Sequence, residues 1–163
     1  MIKRESYMAR IRPFIDGDLI KVLTGIRRSG KSVMLELIKD ELRVRGVTEE
    51  QLVAFNFEDM RNAQLCTAEA LHDELVRRAA PIKGKIYFFF DEIQEVERWE
   101  RCVNSLRVEM DCDIYITGSN AYLLSSEYST YLSGRCVEIN MLPLSFAEFV
   151  DFYGFTIKTV KSA

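Results

Sequence analysis

The sequence predicts an α/β protein, a three-layer α/β/α sandwich around a five-stranded, mainly parallel sheet. Three observations lead there. Short apolar runs alternate with helical periodicities along the whole chain, the pattern of strands joined by crossover helices. Ile86-Tyr87-Phe88-Phe89-Phe90 is apolar at every position, which suits a strand buried on both faces. A glycine-bounded octapeptide, Gly25-Ile26-Arg27-Arg28-Ser29-Gly30-Lys31-Ser32, falls where a strand hands over to a helix.

Residues 5–15 read as a short entry helix with Tyr7, Ile11 and Phe14 on one face. The first strand is 19–23, and the octapeptide follows it. Met34, Ile38 and Leu42 then recur every four residues, Leu35 and Leu37 widen the stripe, and Gly46 supplies the stop. A second strand, 52–57, ends in Glu58-Asp59. Residues 67–79 make a helix with Leu71, Leu75 and Ala79 in register, ended by Pro81. The third strand, 86–90, ends in Asp91-Glu92. Trp99, Cys102, Val103, Leu106 and Met110 mark the next helical face. Asp113 to Thr117 is the fourth strand and leads into Gly118-Ser119-Asn120. A short helix near 121–125 precedes Gly134-Arg135 and a fifth strand, 137–141. Pro143 breaks the chain, and Ser145 caps an amphipathic turn through Phe146, Phe149, Val150 and Phe152.

The octapeptide has the form GxxxxGK[ST], a phosphate-binding loop when a strand precedes it and a helix follows. Residues without a Cβ let the backbone wrap a phosphate chain closely. The N–H groups that open the next helix have no intrahelical partners, and the helix dipole adds about half a positive charge there. Lys31 brings a full charge to the β/γ-phosphates of a nucleoside triphosphate, and the Ser32 hydroxyl is placed for Mg²⁺. Residues 25–32 are therefore the expected nucleotide cradle. Ligands of parallel sheets bind beyond the carboxyl ends of the strands, so Asp91 and Glu92 emerge on the same edge as the loop. We assign Asp91 to the metal and Glu92 to orienting or deprotonating the attacking water.

Composition sets the outer limits. With 163 residues and 48% apolar content the chain fits one domain with an ordinary core. A net charge of −3 argues against a generally basic nucleic-acid surface, though not against a local basic patch. Lys3, Arg4, Glu5, Arg10 and Arg12 leave no room for a signal-peptide apolar region, and no apolar run has the length of a membrane span. Cys66, Cys102, Cys112 and Cys136 are widely spaced and form no CxxC pair. They read as reduced thiols of a cytoplasmic protein, with the single histidine, His72, a bystander on its helix.

Taken together, these residues resemble the prokaryotic predicted ATPases of the AAA+ type, usually described as ATP-binding proteins. The matching residues are Phe14-Ile15-Asp16, Ile20-Lys21-Val22, the octapeptide at 25–32, Asn56-Phe57-Glu58-Asp59 and Phe90-Asp91-Glu92-Ile93-Gln94. They continue in Thr117-Gly118-Ser119-Asn120, Ser133-Gly134-Arg135 and Pro143-Leu144-Ser145-Phe146-Ala147-Glu148-Phe149, so the match covers nearly the whole chain. The resemblance implies a P-loop sheet whose fourth strand lies between the phosphate-loop strand and the Asp91-Glu92 strand. It puts Thr117, Ser119 or Asn120 beside the γ-phosphate as a sensor, and it implies ATP and Mg²⁺ as ligands. It also implies an ATPase core over 1–150, with 151–163 a tail leading toward a C-terminal domain.

Three functions follow as expectations. The leading one is a Mg²⁺-dependent ATPase core that drives or gates an unknown protein or nucleic-acid target. The second is a slowly hydrolysing nucleotide-gated switch, and the third a small-molecule kinase. The absence of an Asn-Lys-x-Asp motif, with no glycine after Asp91, speaks against a GTPase. Arg135, just before the fifth strand, is the expected arginine finger acting in trans on a neighbour within a homo-oligomer. The alternative for Arg135 is a surface pair with Glu138.

Overall fold

A computed structural model describes residues 4–119 and 130–153, the side chains of 151 and 152 excepted. The chain enters through α1 (Glu5–Ile11) and a 3-10 turn (Arg12–Phe14). It then alternates β1 (Ile20–Gly25), α2 (Lys31–Val44), β2 (Leu52–Asn56), α3 (Ala68–Ala79), β3 (Ile86–Asp91), α4 (Trp99–Glu109) and β4 (Cys112–Ser119). After β5 (Cys136–Met141) it closes with α5 (Phe146–Tyr153). The strand order is β2-β3-β4-β1-β5, and every neighbouring pair is parallel. The fourth strand thus separates β1 from β3, as the resemblance implied.

Strand β3 is buried at every position because its two faces meet different helices. Phe88 and Phe90 pack with Leu71 and Leu75 of α3 and with Trp99, Val103 and Leu106 of α4. Tyr87 and Phe89 face the other way, toward Met34, Leu35, Ile38 and Leu42 of α2 and Met8 and Ile11 of α1. The two-residue period of a strand divides one apolar run between two cores. That division makes the three layers.

The entry helix is shorter than expected. It stops at Ile11, because Pro13 has no N–H to give to the Ala9 carbonyl and the chain tightens into a 3-10 turn. Its buried face is Met8 and Ile11, continued by Ile15, rather than Tyr7, Ile11 and Phe14. Strand β4 runs on through Gly118 and Ser119, since it lies between β1 and β3 and Ser119 still pairs with Gly25. The helix expected near 121–125 lies outside the described residues. The turn capped by Ser145 is a helix of two turns, but Phe146 and Phe149 on it are exposed while Val150 is buried. His72 has a partner that its sequence context did not reveal, the Glu109 carboxylate of α4 at 3.1 Å. All four cysteines are unpaired, and burial pushes the Cys102 thiol up to about 12. No helix among the described residues is long and apolar enough to cross a membrane.

Candidate functional site

The octapeptide forms the bend from β1 into α2, at the carboxyl edge of the sheet. Gly25 ends β1 at φ 151°, where an added Cβ would meet the Met141 carbonyl oxygen at 2.4 Å and Ser29 Oγ at 2.7 Å. No other residue fits that contact. Gly30 follows at φ 88°, and Arg28, unusually for a side chain of its size, is also left-handed at φ 66°. The Ser29 N–H donates to the Ile26 carbonyl (3.2 Å), which tightens the bend, and Ser29 is buried. No side chain caps α2, so its first N–H groups are left to whatever the loop cradles.

Lys31, only 5% exposed, turns its ammonium back over the loop. Nζ donates to the carbonyls of Gly25 and Ile26, both at 3.2 Å. It also stands 3.8 Å from Glu92 Oε1. Ser32 is exposed at the start of α2 and, with Asp91, lines a cleft of about 350 Å³ between α2 and the ends of β2 and β3. Asn56 lies in the same cleft, opposite Asp91 in the strand register. Ile26, Arg27 and Arg28 face solvent, with Arg27 Nη2 3.9 Å from Glu58 Oε1.

The two acids at the end of β3 are held differently. Asp91 is buried and accepts a hydrogen bond on Oδ1 from the Thr117 hydroxyl. Glu92 is left-handed, at φ 56° and ψ 51°, a strained conformation for a glutamate. Its N–H donates to the same Thr117 Oγ1 (3.0 Å), and its Oε2 accepts from Gln94 Nε2 (2.5 Å). One fully buried hydroxyl on β4 therefore bridges the side chain of one acid and the backbone of the next.

Lys31, Ser32, Asp91 and Glu92 are brought together at one edge, and Ser119 joins them at the end of β4 beside Gly25. Asn120 lies outside the described residues. Arg135 is not brought together with them. It precedes β5 at the opposite edge, where its carbonyl accepts from the Ile20 N–H (2.9 Å) and its side chain is exposed. The expected alternative partner, Glu138, accepts instead from Thr24 Oγ1 (2.7 Å). Two contributors were not anticipated: Gln94, which orients Glu92, and Arg4, which donates to the Ser29 carbonyl at 2.6 Å. The Phe90-to-Gln94 run contains Gln94, but Arg4 carries no local signal beyond being one charge in a charged segment.

The pattern of the AAA domain family matches residues 18–150 of this chain. The chain belongs to that family. An uncharacterized protein of Haemophilus influenzae is 47% identical over 150 residues, covering 92% of this chain and 38% of its own length. An uncharacterized protein of Methanocaldococcus jannaschii is 38% identical over 140 residues, 85% of this chain and 30% of its own. The chain thus spans about a third of the length of these relatives. Among solved structures, AMPPCP-bound DnaA from Aquifex aeolicus superposes with a TM-score of 0.60 at 13% identity, over 97% of this chain and 54% of that one. At that identity the likeness establishes the fold, the P-loop α/β/α sandwich of AAA+-type cores.

Proposed function

We propose that this chain is an ATPase core that binds MgATP at residues 25–32 and hydrolyses it, its nucleotide state driving or gating an unidentified protein or nucleic-acid target. The observation that carries the reading is the convergence of Lys31, Ser32, Asp91 and Glu92 at the carboxyl edge of β1 and β3. Family membership and the fold support it. The loop's N–H groups and Lys31 bind the β- and γ-phosphates, with Lys31 leaving its present carbonyl partners for the phosphate oxygens.

The donors present fit Mg²⁺. They are hard oxygens, a hydroxyl and a carboxylate facing one cleft, and among the described residues no cluster of three or more His, Cys, Asp or Glu side chains could hold a metal by itself. Ser32 and Asp91 would hold the ion together with the phosphates, and when bound it neutralises charge that develops on them. Glu92 takes a proton from the water that attacks the γ-phosphorus. The bond from that phosphorus to the β–γ bridging oxygen breaks, giving ADP and inorganic phosphate. Thr117 is engaged by Asp91 and Glu92, which supports Ser119 or Asn120 as the sensor. Arg135 would act from a second copy, since its own site lies across the sheet.

A second reading, the slow switch, is favoured by one observation: Glu92 is already engaged by Lys31 and Gln94, which restrains it as a base. Titration calorimetry and single-turnover assays separate the cases. Lys31→Ala should weaken MgATP binding at least tenfold, about 1.4 kcal/mol, and equal affinity would remove the phosphate-loop assignment. Glu92→Gln should keep MgATP and lose most hydrolysis. Hydrolysis at the wild-type rate in that variant assigns the base elsewhere or favours the switch.

A further inference from the structure

Arg4 belongs to none of the motifs, yet its residue is only 5% exposed. The guanidinium donates from Nη1 to the Ser29 carbonyl (2.6 Å), from Nη2 to the Leu142 carbonyl (2.8 Å) and from Nε to Glu148 Oε1 (3.0 Å). It lies 4.5 Å from the centre of the Tyr7 ring, and the Tyr7 hydroxyl accepts from the Leu142 N–H (2.9 Å). One side chain therefore ties the phosphate loop to the segment leaving β5 and to α5. Nε and Nη2 together face the Glu148 carboxylate, Nη2 also lying 3.5 Å from Oε2, while Nη1 holds the loop, an arrangement that suits a planar fork of donors.

We propose that Arg4 is a positioning residue of the phosphate loop, and that Glu148 couples the loop's conformation to the placement of α5. This rests on the nucleotide-site reading above and deepens it. The Ser29–Gly30 peptide is trans and planar, so its N–H points opposite to its C=O. Holding the Ser29 carbonyl against Arg4 aims the Gly30 N–H away from Arg4. Backbone N–H groups of this kind are what such a loop offers to phosphates. Glycine at 30 leaves the peptide free to rotate, so the orientation needs a hold from outside the loop. Arg4 is in contact there: a Cβ added to Gly30 would come within 3.2 Å of its Nη1.

Glu148 is fixed in turn by α5. Its carboxylate accepts from the Ser145 N–H (2.8 Å), while the Ser145 hydroxyl accepts from the Glu148 N–H (3.2 Å), a reciprocal cap. Displacing α5 carries Glu148 away and changes what holds Arg4 on the loop. By linkage, whatever moves α5 changes nucleotide affinity, and nucleotide biases α5 by the same factor.

The test is titration calorimetry of Mg²⁺-AMPPCP with the 163-residue protein, run on wild type, Arg4→Ala, Arg4→Lys, Glu148→Gln and Lys31→Ala. Amide NMR spectra of the free proteins accompany it. Arg4→Ala should bind about tenfold more weakly, a change of about 1.4 kcal/mol. Arg4→Lys should recover little, because one ammonium does not reproduce the planar fork. Glu148→Gln should fall between these variants and wild type. The Gly30 amide resonance should shift in the Arg4 variants and partway in Glu148→Gln, a signature that a loss of stability alone does not produce. Wild-type affinity with an unmoved Gly30 resonance in Arg4→Ala, while Lys31→Ala loses binding, overturns the inference and leaves the site reading standing. Equal binding by Lys31→Ala and wild type, or none by wild type, overturns both. Should Arg4→Ala fail to fold, wild-type affinity in both Arg4→Lys and Glu148→Gln overturns it.

Discussion

Replacing Thr117 by valine removes one oxygen from a fully buried position at the centre of the sheet and leaves nearly the same shape. That oxygen donates to Asp91 and accepts from the Glu92 N–H, so the change strands one acceptor and one donor together. A buried polar group left without its partner costs about 1–3 kcal/mol. The Asp91 side falls toward the upper end, because the acceptor is a carboxylate on a residue only 7% exposed. The Glu92 side falls lower, because its surroundings are half-open to water. The expected loss is about 2–5 kcal/mol, a large share of the roughly 5–15 kcal/mol that holds a domain together. Urea unfolding followed by fluorescence of Trp99, the single tryptophan and fully buried, measures it.

Thr117→Ser keeps the hydroxyl and should stay within about 1.5 kcal/mol of wild type, the methyl being its main loss. Hydrolysis should follow the hydroxyl and not the methyl. Valine should lower turnover at least tenfold under conditions where both variants are folded, and serine should largely restore it. A valine variant within about 0.5 kcal/mol of wild type, the ordinary range of surface changes, would refute the bridge as a structural element. Stability lost with turnover retained would refute its role in orienting the acids.

Three further outcomes can be measured, the third in a chain long enough to oligomerise. At the opposite edge of the sheet, Lys21 and Asp113 form a fully buried ion pair, Asp113 also accepting from the Tyr115 hydroxyl and the Asp16 N–H (both 2.8 Å). Lys21→Met strands the carboxylate and should cost about 3–5 kcal/mol in urea unfolding, and Lys21→Met with Asp113→Asn should recover part of it. Burial acts to raise the Glu148 carboxyl, but hydrogen bonds from the Ser145 N–H and Arg4 outweigh it and hold the group below the ordinary value of 4.5. A depressed carboxyl stabilises above its unfolded value and loses that contribution as pH falls through the lower folded one. The stability gap between wild type and Glu148→Gln should therefore be constant above about pH 5 and narrow below 4.5, as read from unfolding curves at each pH. If Arg135 acts in trans, Lys31→Ala and Arg135→Ala, each inactive in an assembled oligomer, should recover hydrolysis when mixed. An oligomer of Arg135→Ala alone that hydrolyses at the wild-type rate excludes the finger.

What the sequence made legible was local. The phosphate loop could be read because its constraint is the backbone of eight consecutive residues, and the demand for glycine at 25 and 30 shows directly in composition. Asp91 and Glu92 could be placed because a strand apolar on both faces has one orientation in a parallel sheet, and its carboxyl end is the ligand edge. The corrections came where neighbours decided the outcome. Strand β4 is longer than its apolar run because Gly118 and Ser119 find partners on β1, and a strand between two others loses fewer groups to water than an edge strand.

The parts that stayed hidden are polar contacts between distant segments. Thr117 reaches Asp91 across 26 positions, Lys21 reaches Asp113 across 92, and Arg4 reaches Glu148 across 144. Each is one common residue type whose neighbours in sequence say nothing of its partner. Yet each of these side chains is nearly or fully buried, and a buried polar group must find a partner or destabilise the fold. That requirement makes them informative once the topology is known. The strand order sets β4 beside β3, so the Thr117 hydroxyl on β4 reaches both acids at the end of the neighbouring strand, the side chain of Asp91 and the backbone of Glu92. Likewise Arg4, just before α1, holds the loop's Ser29 carbonyl while donating to Glu148 of α5, near the other end of the described residues. The candidate site therefore rests on two kinds of constraint: local backbone chemistry sets the loop and the strand end that carry Lys31, Ser32, Asp91 and Glu92, and long-range buried contacts from Thr117 and Arg4 hold the groups around them.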